Sequence, residues 1–184
     1  MDIQDALRGR RSVREYKPDN ISREAIATLI EAATLAPSAM NEQPWHFTVV
    51  TDKALLNSIS SKAKSHILAG ADAVPDHLRK ALEAPAFQIF YHAPALIVIS
   101  ATQSLPWANE DCALAAENLM LAAFAQGLGT CWIGFAQRWL ATDEGAAMIG
   151  LPSGYRAIAP VIVGSPMTFP DAIERRAPTI RWIP

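Results

Sequence analysis

The chain has 184 residues, enough for one sizeable core and short for two. It is 51% hydrophobic and 18% charged, a lean toward buried surface that either a large core or an obligate dimer would explain. A net charge of −2 argues against bulk binding of nucleic acid, and no apolar run approaches the roughly 18 residues of a membrane span.

Asp2 to Arg8 reads as a short opening helix. Gly9 is placed to end it in the left-handed conformation. The next stretch, Arg10-Arg11-Ser12-Val13-Arg14-Glu15-Tyr16, then runs extended. Extended chain has a period of two, so Arg10, Ser12 and Arg14 share one side. Two guanidinium forks flanking a hydroxyl suit a phosphate or a polarised heterocycle edge. On these residues alone, a solvated basic turn or a basic targeting segment is the simpler reading. Met1 to Leu7 shows no basic region followed by an apolar run, so no secretory signal is expected.

Pro18-Asp19-Asn20 is a turn. Ser22 caps a helix whose Ile26, Leu29, Ile30 and Ala33 fall on one face, ending before Pro37. Pro37 to Pro44 is an irregular polar loop between two prolines. Trp45 to Thr51 reads as a strand, and Asp52 caps the helix that follows. From Lys64 to Gln88 the chain is polar and alanine-rich, broken by Pro75 and Pro85, and helical in pieces. The near-continuous apolar run Ala93 to Ala101 is a central strand.

Asn109 to Gln126 is the longest helix expected. Its polar residues gather in the first turns, and Leu119 to Ala125 is apolar nearly all round. It must therefore be buried in the core or against a second subunit. Gly127 and Gly129 end it, and Thr130 to Phe135 follows as extended chain. A short helix spans Thr142 to Ile149. Arg156 to Gly164 is the last strand, with Pro160 pointing to a sheet edge or a bulge. Beyond Pro166 the chain is an extended tail.

Irregular alternation of strands and helices favours an α+β domain with a small mixed or antiparallel central sheet flanked by helices, in one domain over residues 1–184. No Gly-x-Gly-x-x-Gly follows a strand and no Gly-x-x-x-x-Gly-Lys is present, so neither a Rossmann cofactor site nor a nucleotide triphosphatase is indicated. Cys112 and Cys131 lie far apart and form no metal-ligand spacing, so a reduced, cytoplasmic protein is the expectation. His46, His66, His77 and His92 show no mutual metal spacing either. Cys112 reads as a core thiol. Phe87, Phe90 and Trp107 could pack in the core or line a ligand face.

Three segments call for a joint explanation: the arginine cluster, the loop bearing Ser38, Asn41 and Gln43, and the glycine-punctuated stretch Gly127 to Gly134. Each alone has an ordinary structural reading. In order and spacing, Arg10–Tyr16, Ala36–Trp45, Ala113–Asn118 leading into Gly127–Gly134, and Arg175-Arg176-Ala177-Pro178 together resemble the nitroreductase family of FMN-dependent flavoproteins, in its smaller members.

That resemblance implies a domain-entwined homodimer that binds FMN. It implies hydride taken from NADH or NADPH and passed, in alternating turns, to a nitroaromatic, quinone or similar small acceptor. Dehydrogenation or dehalogenation on the same fold, or flavin binding without turnover, are the alternatives. Arg10, Arg11 and Ser12 correspond to the segment that holds the phosphate and ribityl end. Arg14 corresponds to the basic residue near the pyrimidine side of the ring. Pro37, Ser38, Ala39, Asn41 and Gln43 match the loop that reaches the flavin from the partner subunit. Ile133 and Gly134, with Cys131 and Trp132 before them, stand where backbone N–H groups face flavin N5 and O4. Arg176, with Arg175 beside it, corresponds to a C-terminal phosphate ligand. Glu174 stands where a second basic residue is common. No side-chain nucleophile, general base or metal is implied.

Overall fold

The computed structural model describes residues 1–70 and 74–184. Ala71 to Ala73, inside the stretch expected to be helical in pieces, lie outside the described residues. Helices α1 (Ile3–Gly9), α2 (Arg23–Thr34), α3 (Lys53–Ala69), α4 (Asp76–Glu83), α5 (Ala108–Ala125), α6 (Gly134–Leu140) and α7 (Asp143–Met148) flank four strands: β1 (His46–Val50), β2 (Ala95–Thr102), β3 (Gly129–Trp132) and β4 (Tyr155–Gly164). The strands lie in the order β1-β2-β4-β3 and every neighbouring pair is antiparallel. This is the expected α+β architecture, with an antiparallel sheet. Among the described residues, no helix is long and apolar enough to cross a membrane.

Local signals set most helix starts. The side chains of Asp2, Ser22, Asp52 and Thr142 each accept an amide three residues on, which satisfies a donor the helix cannot. β2 is apolar from Ala95 to Ile99, with a buried Ser100 after it, because helices cover both faces of the sheet. Ala95, Ile97, Ile99 and Ala101 meet α2 and α5, while Leu96 and Val98 meet the layer that contains α3 and α6. At about 25 cal/mol per Å² of apolar surface, burying β2 on both faces is a leading contribution to the core.

Two expectations fail and a third holds only in part, for reasons that lie in the tertiary packing. Pro160 is on a central strand, paired with Val98 on one side. Its carbonyl accepts the Ile133 amide at 2.8 Å on the other. An antiparallel pair there would also need an N–H from residue 160 to the Ile133 carbonyl, and proline has none. The ladder therefore ends at Ile133. That carbonyl instead accepts the Ala136 amide at 3.1 Å, and Gly134 and Phe135 enter α6 rather than continuing extended. The bulge half of the Pro160 expectation does hold for its strand: Ile99 pairs with Ala159 and Ser100 with Ala157, which leaves Ile158 of β4 as the extra residue, two positions before Pro160. Gly9 is the last residue of α1 and is not left-handed. It is glycine because a Cβ there would run into the Phe124 ring.

The arginine stretch forms an irregular strand along the outer edge of β3. Ser12 bridges Thr130, and the Val13 amide donates to the Thr130 carbonyl at 2.9 Å. Val13 is fully buried, so its neighbours Ser12 and Arg14 face outward, as the period of two requires. Tyr16 bridges Pro166, which ties this stretch to the start of the tail. Residues 167–184 then have no regular structure and are exposed.

Candidate functional site

Gly129 allows the arginine stretch to lie so close. A Cβ on it would come 2.8 Å from Val13 Cβ and Cγ2, and Val13 has nowhere to move. Gly127, at φ +74°, ends α5 and turns the chain into β3. The segment thus held lines two cavities.

The first, of about 270 Å³, is bounded by Arg10, Arg11, Ser12, Arg14 and Arg175, with Pro170, Asp171 and Ile173 from the tail. The second, of about 250 Å³, is bounded by Arg14, Cys131, Trp132, Ile133, Gly134, Tyr91 and Phe135. Arg14 belongs to both, so the cavities are contiguous at its side chain. Its guanidinium stands 5.9 Å from the centre of the Tyr91 ring, a cation–π distance.

The arginines are not equivalent. Arg10 forms an ion pair with Glu117 of α5 at 3.5 Å, yet its Nε is buried without a hydrogen bond. Arg11 is partly spent on the backbone. Its Nη1 donates to the carbonyls of Arg8 and Arg10 at 2.6 and 2.8 Å, and its Nε donates to that of Asp171 at 3.3 Å. These bonds close the end of α1 and pin the tail. Arg176 is not among the lining residues; its neighbour Arg175 is.

In the second cavity, Ile133 lines the wall but its amide is committed to Pro160. The Gly134 and Phe135 amides have no acceptor among the described residues. A Cβ on Gly134 would meet nothing within 4 Å, so bare backbone faces open space there. Burial raises the pKa of the Cys131 thiol, against smaller opposing effects of Arg14, Ser12 and Arg10. It is a neutral lining group near pH 7, not a thiolate. Burial raises Tyr16 further, reinforced by Cys131, and its phenol donates to the Val13 carbonyl at 2.9 Å.

The loop residues Pro37, Ser38, Ala39, Asn41 and Gln43 line neither cavity of their own chain. The loop is nevertheless built with care. Ala39 to Asn41 form a single 3-10 turn, and Met40, Asn41 and Gln43 all sit at positive φ. The Ser38 hydroxyl accepts the Gln43 amide at 3.0 Å, and Gln43 Nε2 donates to Asn41 Oδ1 at 3.1 Å. Buried Asp111 on α5 accepts the Ala39 amide at 3.0 Å. Non-glycine residues in this conformation are strained and concentrate at functional sites.

Sequence reasoning missed Tyr91, Phe135, Glu117 and the anchoring role of Asp111. Tyr91 carries no local signal, since its φ of +51° falls on a non-glycine residue in an undecided stretch. An acid in the first turn of α5 was visible, but its target 72 residues away was not.

The model of the nitroreductase family matches residues 7–165 of this chain. The chain belongs to the nitroreductase family. A relative from Archaeoglobus fulgidus, provisionally named an NADH dehydrogenase/NAD(P)H nitroreductase, is 34% identical over 172 residues, covering 90% of this chain and 86% of the relative. Iodotyrosine deiodinase of Thermotoga neapolitana is 29% identical over 132 residues, covering 70% and 71%. The crystal structure of a nitroreductase with bound FMN from Bacteroides fragilis superposes with a TM-score of 0.88 at 29% identity, covering 100% of this chain and 99% of that one. That superposition covers the tail as well, while the family model ends at residue 165.

Proposed function

We propose that this protein is a homodimeric, FMN-dependent oxidoreductase that takes hydride from NADH or NADPH and delivers it to a small conjugated acceptor such as a nitroaromatic or a quinone. The observation that carries this reading is the pair of contiguous cavities sharing Arg14, one cationic and one walled by bare glycine backbone. Their chemistry matches the two ends of FMN, a phosphate dianion and a flat conjugated ring.

The residues fit that group. Arg10, Arg11, Arg14 and Arg175 line one cavity, and guanidinium groups gathered in this way suit a phosphate. Arg14 is placed between the cavities, where its fixed charge would stabilise negative charge developing on a ring beside it. The free amides of Gly134 and Phe135 would orient such a ring by its polar edge. FMN, when bound, supplies hydride acceptance and donation at N5. The chain contributes binding, orientation and exclusion of water.

The homodimer rests on two further observations. The strained loop at 37–43 reaches neither cavity of its own chain, so a partner's cavity is the place for Asn41 and Gln43 to act. The tail also leaves Ile173, Ile180, Trp182 and Ile183 at 61–85% exposure, more apolar surface than a lone subunit leaves in water. Both cysteines are free thiols, which suits a reducing cytoplasm.

The test is spectroscopic. The purified protein should absorb between roughly 350 and 500 nm, where a conjugated flavin ring absorbs. It should lose that absorbance with NADH or NADPH in the absence of oxygen and regain it with an acceptor. A colourless preparation that takes up no added FMN refutes the reading. The similarity to a deiodinase favours one second reading, reductive removal of halide. Recovery of colour with a halotyrosine but not with nitroaromatics or quinones would select it.

A further inference from the structure

Behind the Tyr91 turn lies a third cavity, of about 250 Å³, which the flavin reading does not use. Its floor is apolar: Leu56, Phe90 and Ala93 are each buried to within 6% of complete, with the Tyr16 ring beside them. Its rim is polar, made of Asn20, Lys53, Asn57, Gln88 and His92. None of these five side chains has an ion-pair or hydrogen-bond partner among the described residues. Some polar groups elsewhere on the chain are paired, among them Lys62 with Glu144, Arg79 with Glu83, and Arg156 with Asn109.

Charge and shape narrow the occupant. No carboxylate lines the cavity. The adjacent Asp52 is occupied in capping α3, its Oδ1 accepting the Leu55 amide at 2.7 Å. Lys53 is the first residue of α3, where the helix dipole disfavours a cation, and its Nζ has no ion-pair partner among the described residues. An apolar floor with a few convergent polar groups is the usual form of a small-molecule pocket.

The wall is also fixed at a conformational cost. Tyr91 and His92 are consecutive non-glycine residues at φ +51° and +56°. The turn is closed by the Tyr91 amide to Gln88 and the Ala93 amide to Phe90, both at 2.9 Å. It sends Tyr91 into the cavity beside Arg14 and His92 onto this rim. Two strained residues in succession mark a segment held in place for a purpose beyond packing.

We propose that this cavity is a second binding site, for a small organic carboxylate with a flat apolar body, held by Lys53 and His92 at the rim and by Phe90 and Leu56 at the floor. The body replaces water over the floor, and the carboxylate gives the rim donors the acceptor they lack. The site backs onto the Tyr91 wall of the flavin cavity without sharing its arginines.

Calorimetric titration of the purified, FMN-loaded protein tests this with sodium benzoate, its neutral analogue benzamide, and the variants Lys53→Gln and His92→Asn. Asparagine tolerates positive φ, so the second variant keeps the turn. Wild type should bind benzoate saturably and benzamide about fivefold more weakly, the upper end of what an exposed charge pair contributes. Each variant should weaken benzoate by about fivefold, leave benzamide unchanged and unfold at the wild-type temperature. Absence of saturable benzoate binding overturns the proposal. So does equal affinity in wild type and Lys53→Gln, and if the flavin absorbance shifts at the same time, the anion lies on the flavin instead.

Discussion

Asp111 offers the sharpest test of how the loop at 37–43 is held. Its carboxylate is 5% exposed and accepts the Ala39 amide at 3.0 Å from the first turn of α5. A hydrogen bond to a charged acceptor contributes about 1.5–3 kcal/mol. A carboxylate at a helix N-terminus adds about 0.3–1 kcal/mol. Asp111→Ala removes both and leaves the Ala39 amide without an acceptor. For a chain of this size each kcal/mol moves the unfolding midpoint by about 2–4 °C, so a fall on the order of 10 °C is expected. Asp111→Asn keeps an oxygen in place and loses only the charge, so it should cost about half as much. Thermal unfolding by circular dichroism of flavin-free protein measures this, and FMN titration by fluorescence quenching measures the loop's part in binding. FMN affinity should follow the same order, with alanine weaker than asparagine. An asparagine variant as damaged as the alanine variant, or an alanine variant with unchanged midpoint, would refute the anchoring argument.

Arg10→Ala should release FMN on gel filtration, because it removes a cation from the lining of the cationic cavity, and full retention would contradict that role. Asn41→Ala should weaken FMN binding while sedimentation still shows a dimer; an unchanged affinity would remove the loop from the site. Gly129→Ala should destabilise by about 1–3 kcal/mol in a urea titration, since its Cβ would stand 2.8 Å from Val13, and a neutral result would show that the arginine stretch can shift. The Cys112 thiol is pushed up to about 12 from 9.0, by burial first and then by the charge of Asp111, with Arg156 opposing. The unfolded chain therefore loses this proton first, so stability is full below about pH 9 and falls as pH rises toward about 12. Cys131 and Tyr16 shift in the same direction, so Cys112→Ala should flatten the slope without abolishing it. An unchanged slope in that variant would reject the assignment.

Elements whose signals are local were legible. Ser22 and Asp52 each cap within three residues, and the helices they start lie where the spacing put them. The apolar run at Ala93–Ala101 became β2 because such a run has no polar face to show to water. The period of two in Arg10–Arg14 placed Val13 inside and Ser12 and Arg14 outside. The stretch from Lys64 to Gln88 was legible only as broken helix. Its organiser is Lys64, whose Nζ donates to the carbonyls of Ala84 and Phe87 at 2.8 and 2.9 Å, some twenty residues on.

The fold class and the outward-facing Ser12 and Arg14 could be read from the chain because caps and periodicity act between near neighbours, while the family was legible as a resemblance carried by four motifs in order, from Arg10–Tyr16 to Arg175–Pro178. Tertiary structure decided what each special residue is for. Pro160 ends β3 only because Ile133 lies opposite it, and Gly9 is needed only because Phe124 covers it. Tyr91 joins the site only because a strained turn carries it to Arg14. A missing donor, a missing Cβ or a left-handed residue has no meaning until its partner is placed, and those partners are distant in sequence.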